Sequence, residues 1–68
     1  LKVNYKVIKQ IMADHIQEAL DYYNNKAKEI LNLVNSSSNL KPDQIIHYGE
    51  EMAILEYKIT ALEIAKGN

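Results

Sequence analysis

Apolar residues recur at every third or fourth position along nearly the whole chain, and one stretch interrupts this spacing. Such spacing places them along one side of an α-helix, whereas a half-buried β-strand requires alternation at every second position. The interruption, at residues 35–42, reads Asn-Ser-Ser-Ser-Asn-Leu-Lys-Pro and is typical of a loop. The sequence therefore predicts an all-α fold of two helices, at about residues 3–35 and 42–66, joined by a loop at 36–41.

The first predicted helix carries one long apolar stripe. Its average spacing is close to the 3.6 residues of a helical turn, so we expect a long helix with little supercoil. Asn24 and Asn25 are poor helix formers, but the stripe passes through them in register, and a kink there is the alternative. The stripe consists of Leu1, Tyr5, Ile8, Met12, Ile16, Ala19, Tyr23, Ala27, Ile30 and Val34.

The second predicted helix carries apolar residues on two nearly opposite sides. We expect a heptad stripe to face the first helix, formed by Ile45, Tyr48, Met52, Leu55, Ile59 and Leu62. The second stripe needs another partner, and it contains Ile46, Ala53, Tyr57, Ala61 and Ile64. Gly49 costs about 1 kcal/mol relative to alanine in a helix interior, so either another helix approaches it closely or the first turns are loosely held.

The apolar surface exceeds what a single hairpin can cover. Two helices joined by a short loop run antiparallel, and the longer first helix then extends about ten residues beyond the second. A chain of 68 residues without cysteine needs reinforcement other than disulfides, and association supplies it. We therefore expect a homodimeric four-helix bundle, with Tyr57 the most prominent interface residue. The expected interface contains Val7, Ile11, Ile46, Ala53, Tyr57 and Ile64.

Composition indicates a globular, cytoplasmic protein. The apolar content is 47%, which is ordinary for a folded domain, and the longest uninterrupted apolar run covers only residues 52–55. We therefore expect no membrane-spanning segment and no contact with a membrane. No basic-then-apolar leader is visible, and the first residue is Leu1 rather than methionine, so we expect flanking sequence before it.

Nothing in the sequence predicts an enzyme, and we expect no catalytic residue, cofactor or bound metal. His15 and His47 each precede a glutamate by three residues, which reverses the Glu-x-x-His order of metal sites in helical bundles. The remaining carboxylates fall mainly on polar sides of the helices. Cysteine chemistry and glycine-rich phosphate loops are absent from the sequence.

Lys2, Lys6 and Lys9 form the main basic cluster. All eight basic residues are lysine and the net charge is −1, whereas nucleic-acid-binding domains usually carry excess positive charge and use arginine. The sequence therefore favours a small protein–protein interaction module with a regulatory, adaptor or assembly role. The alternative is a dimeric, RNA-binding helical hairpin that uses this lysine cluster.

Overall fold

The computed structural model describes residues 4–67 and contains two helices, α1 (Tyr5–Ser36) and α2 (Pro42–Ala65), packed against each other as a hairpin. The predicted all-α hairpin is therefore confirmed. α1 continues without interruption through the two asparagines, so the helix is not broken there. The Asn4 side chain accepts a hydrogen bond from the Lys6 backbone N–H at 3.0 Å, and this cap places the start of α1 at Tyr5.

Local polar contacts define the two helix ends at the loop. The hydroxyls of Ser36 and Ser37 donate to the Leu33 carbonyl oxygen at 3.2 and 2.7 Å, at the end of α1. Pro42 occupies the first position of α2, where its missing N–H is not needed. Just before it, the Lys41 backbone N–H donates to Gln44 Oε1 at 2.9 Å, and this contact stabilises the start of α2.

The contact between the helices is narrow. Among residues 4–67, the buried apolar side chains are Leu20 of α1 and Leu55 of α2. The predicted α2 stripe is half-buried around Leu55, except that Ile45, in the first turn next to the loop, is 55% exposed. The predicted α1 stripe is half-buried from Ile16 onward, but Tyr5, Ile8 and Met12 are exposed.

The exposed end of α1 extends beyond the end of α2. Lys66 Nζ, one residue after α2, donates to Gln17 Oε1 at 2.8 Å, and this contact marks where the second helix ends beside the first. Residues 5–15, called the overhang below, therefore have little or no helix beside them. No helix among the described residues is long and apolar enough to cross a membrane.

The accessible surface is large for the mass of the chain. A compact monomeric protein of 7.8 kDa exposes about 4,400 Å² by the usual scaling of surface with mass. This chain exposes 5850 Å², which is about 1,500 Å² more. The elongated shape, 59 × 21 × 16 Å, accounts for the surplus, because a single pair of helices has only one shared side.

Candidate protein-interaction surfaces

The first candidate surface is the outer ridge of α2, the side of the helix that points away from α1. Successive helical residues are rotated by about 100°, so this ridge lies nearly opposite Leu55. Tyr57 is 76% exposed and Ile64 is 71% exposed. The ridge is formed by Ile46, Ala53, Tyr57, Ala61 and Ile64, all of which are exposed.

The overhang is the second place where predicted interface residues lie. Val7 and Ile11 are each 51% exposed, and Met12 beside them is 59% exposed. Ile11, Met12, His15 and Ile16 line a shallow groove of about 350 Å³ along one side of α1. The six interface residues expected from the sequence are thus all exposed, but they belong to two separate places, the overhang and the outer ridge.

A third surface spans both helices and is called the flat face. Its centre is a groove of about 260 Å³ with Tyr23 and Leu55 at the helix contact. Tyr22 of α1 is 57% exposed and Ile54 of α2 is 54% exposed on the two sides of this groove. The groove is lined by Tyr22, Tyr23, Lys26 and Ile30 of α1 and by Glu51, Ile54, Leu55 and Lys58 of α2.

The interface predicted from the sequence does not include Tyr22 or Ile54. Both lie outside the stripes that face the opposite helix. Whether Tyr22 and Ile54 come close to each other depends on how each helix is rotated in the hairpin. Helical rotation could have indicated the place of Ile54. It follows Ala53 on the ridge and precedes buried Leu55, so around the helix it lies between the ridge and the helix contact.

Two lysine side chains cover tyrosine rings beside the groove. Lys58 Nζ of α2 lies 5.1 Å from the centroid of the Tyr23 ring in α1, and Lys26 Nζ lies 5.6 Å from that of Tyr22. The two rings contact each other edge to face at 5.3 Å. Each lysine therefore places its charge over an aromatic ring.

The opposite side of the hairpin also carries charged residues. Ile54 and Glu56 flank buried Leu55 in the sequence, so they point to opposite sides of the helix contact. Asp21 lies on the same side as Glu56 and accepts a hydrogen bond from Gln17 Nε2 at 2.9 Å. Lys28 and Glu63 are also exposed there. Charged residues therefore lie on both sides of the hairpin, because Lys26, Glu51 and Lys58 line the groove of the flat face.

The basic cluster gains a residue in the folded hairpin. Lys6 and Lys9 line a wide groove of about 620 Å³ together with Lys66, which follows α2. Lys9 Nζ lies 4.8 Å from the centroid of the Tyr5 ring. Lys2 lies outside the described residues. Lys66 was not part of the cluster predicted from the sequence, although an antiparallel hairpin brings the end of α2 towards the lysine-rich start of α1.

The two histidines lie on different helices. His47 Nε2 lies 3.1 Å from Glu51 Oε1, four residues along, rather than pairing with Glu50. His15 lies beside the overhang groove, on the other helix. Within residues 4–67, no group of three or more histidine, aspartate or glutamate residues is close enough together to hold a metal ion.

Comparisons with protein-family models, with curated proteins and with solved structures gave no significant match to this chain.

Proposed function

We propose that this chain is a small protein–protein interaction module that self-associates by helix packing into a homodimeric four-helix bundle. A regulatory, adaptor or assembly role fits such a module. The observation that supports the proposal is the surplus surface: the chain exposes about 1,500 Å² more than a compact monomer of its mass, with only Leu20 and Leu55 buried in the described part of the chain.

The surplus is larger than the area that a standard protein–protein interface removes from each partner. A standard protein–protein interface removes about 800 Å² from each partner, and obligate homodimers remove more. The surplus of about 1,500 Å² per chain exceeds this requirement. Thirteen large hydrophobic side chains of the described residues are exposed, and burying some of them in a dimer lowers its free energy by the hydrophobic effect.

The test is the molar mass of the protein in solution. Sedimentation equilibrium and light scattering coupled to size exclusion, run from about one to a hundred micromolar, should give twice 7.8 kDa at the upper end. Helicity, followed by circular dichroism, should fall on dilution along with the mass. A helical monomer that persists at tens of micromolar contradicts self-association.

A second candidate function is RNA binding by the basic end of the hairpin. The observation that favours it is the position of Lys66, which joins Lys6 and Lys9 around one groove. A phosphate-binding surface should retain the protein on heparin or duplex RNA, and retention should fall steeply with salt.

The test of this candidate compares two double variants. Each removes two positive charges, one variant at the basic end and the other elsewhere on the hairpin. The double variant Lys6→Gln/Lys9→Gln should lose retention, whereas Lys28→Gln/Lys41→Gln, with both charges lost from exposed positions elsewhere, should keep it. Equal retention of the two variants, or no retention of the wild-type protein at low salt, contradicts RNA binding through this end.

A further inference from the structure

We infer that the second copy of this chain docks on the flat face, over the groove between Tyr22 and Ile54, and not on the outer ridge of α2. This inference rests on the proposed self-association and assigns it a surface. The partner is a second copy because the surplus of about 1,500 Å² per chain suits a homodimer interface.

Bundle geometry separates the two surfaces. In a four-helix bundle each helix contacts two neighbours in directions roughly at right angles, and all four helices surround a shared core. A copy on the outer ridge would lie directly behind α2, on the side opposite α1. The helices would then form a row, and Tyr22 and Ile54 would stay exposed. A copy on the flat face contacts both helices at once and closes the bundle.

The flat face also has a groove with exposed side chains beside it, which is the surface shape that helix packing requires. Helices pack by placing side chains of one into the groove of another. Here the groove contains Tyr23 and Leu55, and the more exposed Tyr22 and Ile54 stand beside it. A second copy in this groove would cover Tyr23 and Leu55 from the side on which they line it.

The charges beside the groove are compatible with an identical surface opposite. Lys26 Nζ lies 3.8 Å from a Glu29 carboxylate oxygen, and Glu51 contacts His47. Lys58 lies above the Tyr23 ring and can extend its charge into solvent along its flexible stem. Both signs are present, so two copies of this face do not confront each other with a single sign of charge.

The same surface continues onto the overhang. Ile11 and Met12 line the second groove, on the side of α1 that leads to Tyr22, with His15 between them. A copy on the flat face can therefore extend along α1 and cover part of the overhang, which α2 leaves exposed. The outer ridge has no such continuity with α1, because it lies on the far side of α2.

The test compares three variants that each introduce one negative charge at an exposed position: Ile54→Glu on the flat face, Tyr57→Glu on the outer ridge and Asn24→Glu on the side opposite the flat face. Sedimentation equilibrium measures the dissociation constant of the dimer for each. Ile54→Glu should raise it by about 30-fold or more, since a charge in an interface centre is strongly unfavourable. Tyr57→Glu and Asn24→Glu should change it by less than about threefold.

A second measurement does not depend on charge or on helix stability. The wild-type chain has no cysteine, so single Ile54→Cys and Tyr57→Cys variants can be alkylated with a maleimide at high and low protein concentration. Association should slow the reaction at position 54 at least tenfold and leave position 57 almost unaffected.

The outcomes distinguish this inference from the proposed function. Dissociation by Tyr57→Glu but not by Ile54→Glu, or equal effects of the two, overturns the assignment to the flat face while self-association stands. If association slows alkylation more at position 57 than at position 54, the assignment to the flat face is overturned as well. A monomeric wild-type protein overturns self-association itself.

Discussion

Lys58 Nζ of α2 lies 5.1 Å from the centroid of the Tyr23 ring of α1, so a cation of one helix covers an aromatic ring of the other. Within residues 4–67, the other polar side-chain contact between the two halves of the hairpin is the hydrogen bond from Lys66, just after α2, to Gln17 of α1. The rest of the contact is apolar and centred on Leu20 and Leu55. The hairpin therefore depends on a small apolar core with few polar contacts to reinforce it.

The cation–π contact should contribute a measurable but small coupling energy. Replacing Lys58 by methionine keeps the stem and removes the charge, and replacing Tyr23 by leucine removes the aromatic ring. A double-mutant cycle of these two changes, followed by urea unfolding, should give a coupling of about 0.5–1 kcal/mol. The cycle of Lys58→Met with Tyr48→Leu, which lacks such a contact, should give a coupling near zero.

Truncation of Leu55 should destabilise the hairpin severely. Leu55→Ala removes one of the two buried side chains, and such changes cost about 2–5 kcal/mol. A helical hairpin of this size has little stability to lose, so most of the helical circular dichroism signal should disappear at 25 °C. Ile64→Ala is the control, because Ile64 is 71% exposed and its truncation should leave the unfolding midpoint nearly unchanged. Similar midpoints for the two variants would contradict a core at Leu55.

Gly49→Ala should stabilise the protein by about 1 kcal/mol. A Cβ at this position meets no atom within 4 Å, so the close helix approach that was one explanation of this glycine is not present within the hairpin. The gain is measured as a higher urea midpoint. Gly67→Ala should give no such gain, because Gly67 has a φ of +94° that alanine adopts only with strain. Destabilisation by Gly49→Ala would indicate that a partner helix packs there.

Loss of the Asn4 cap should loosen the first turn of α1 and nothing else. The Asn4 side chain accepts the Lys6 N–H at 3.0 Å, and Asn→Ala at such a cap costs about 1 kcal/mol. The overhang makes little contact with α2, so the loss should remain local. Hydrogen exchange should accelerate for amides of residues 6–8, whereas the amide of Leu20 should exchange at its original rate. Faster exchange at Leu20 would show that the overhang is coupled to the core.

Local chemistry explains the parts of the fold that could be predicted. The spacing of apolar residues, the polar stretch before Pro42 and the shortness of the loop were sufficient for two helices in a hairpin. The stripe facing α1 was also correct from Tyr48 to Leu62, because rotation of about 100° per residue relates sequence spacing directly to direction around a helix. These features depend on residues within a few positions of one another.

The arrangement of the exposed surface required the tertiary structure. Periodicity did not show that Ile54 and Tyr22 lie beside the same groove. That proximity depends on how each helix is rotated in the hairpin, and so does the meeting of Lys66 with Lys6 and Lys9. The sequence by itself determined the helices, the loop and the surplus of apolar residues. Only the packing of α1 against α2 decided which of those residues share one surface, because it joins residues that are far apart along the chain.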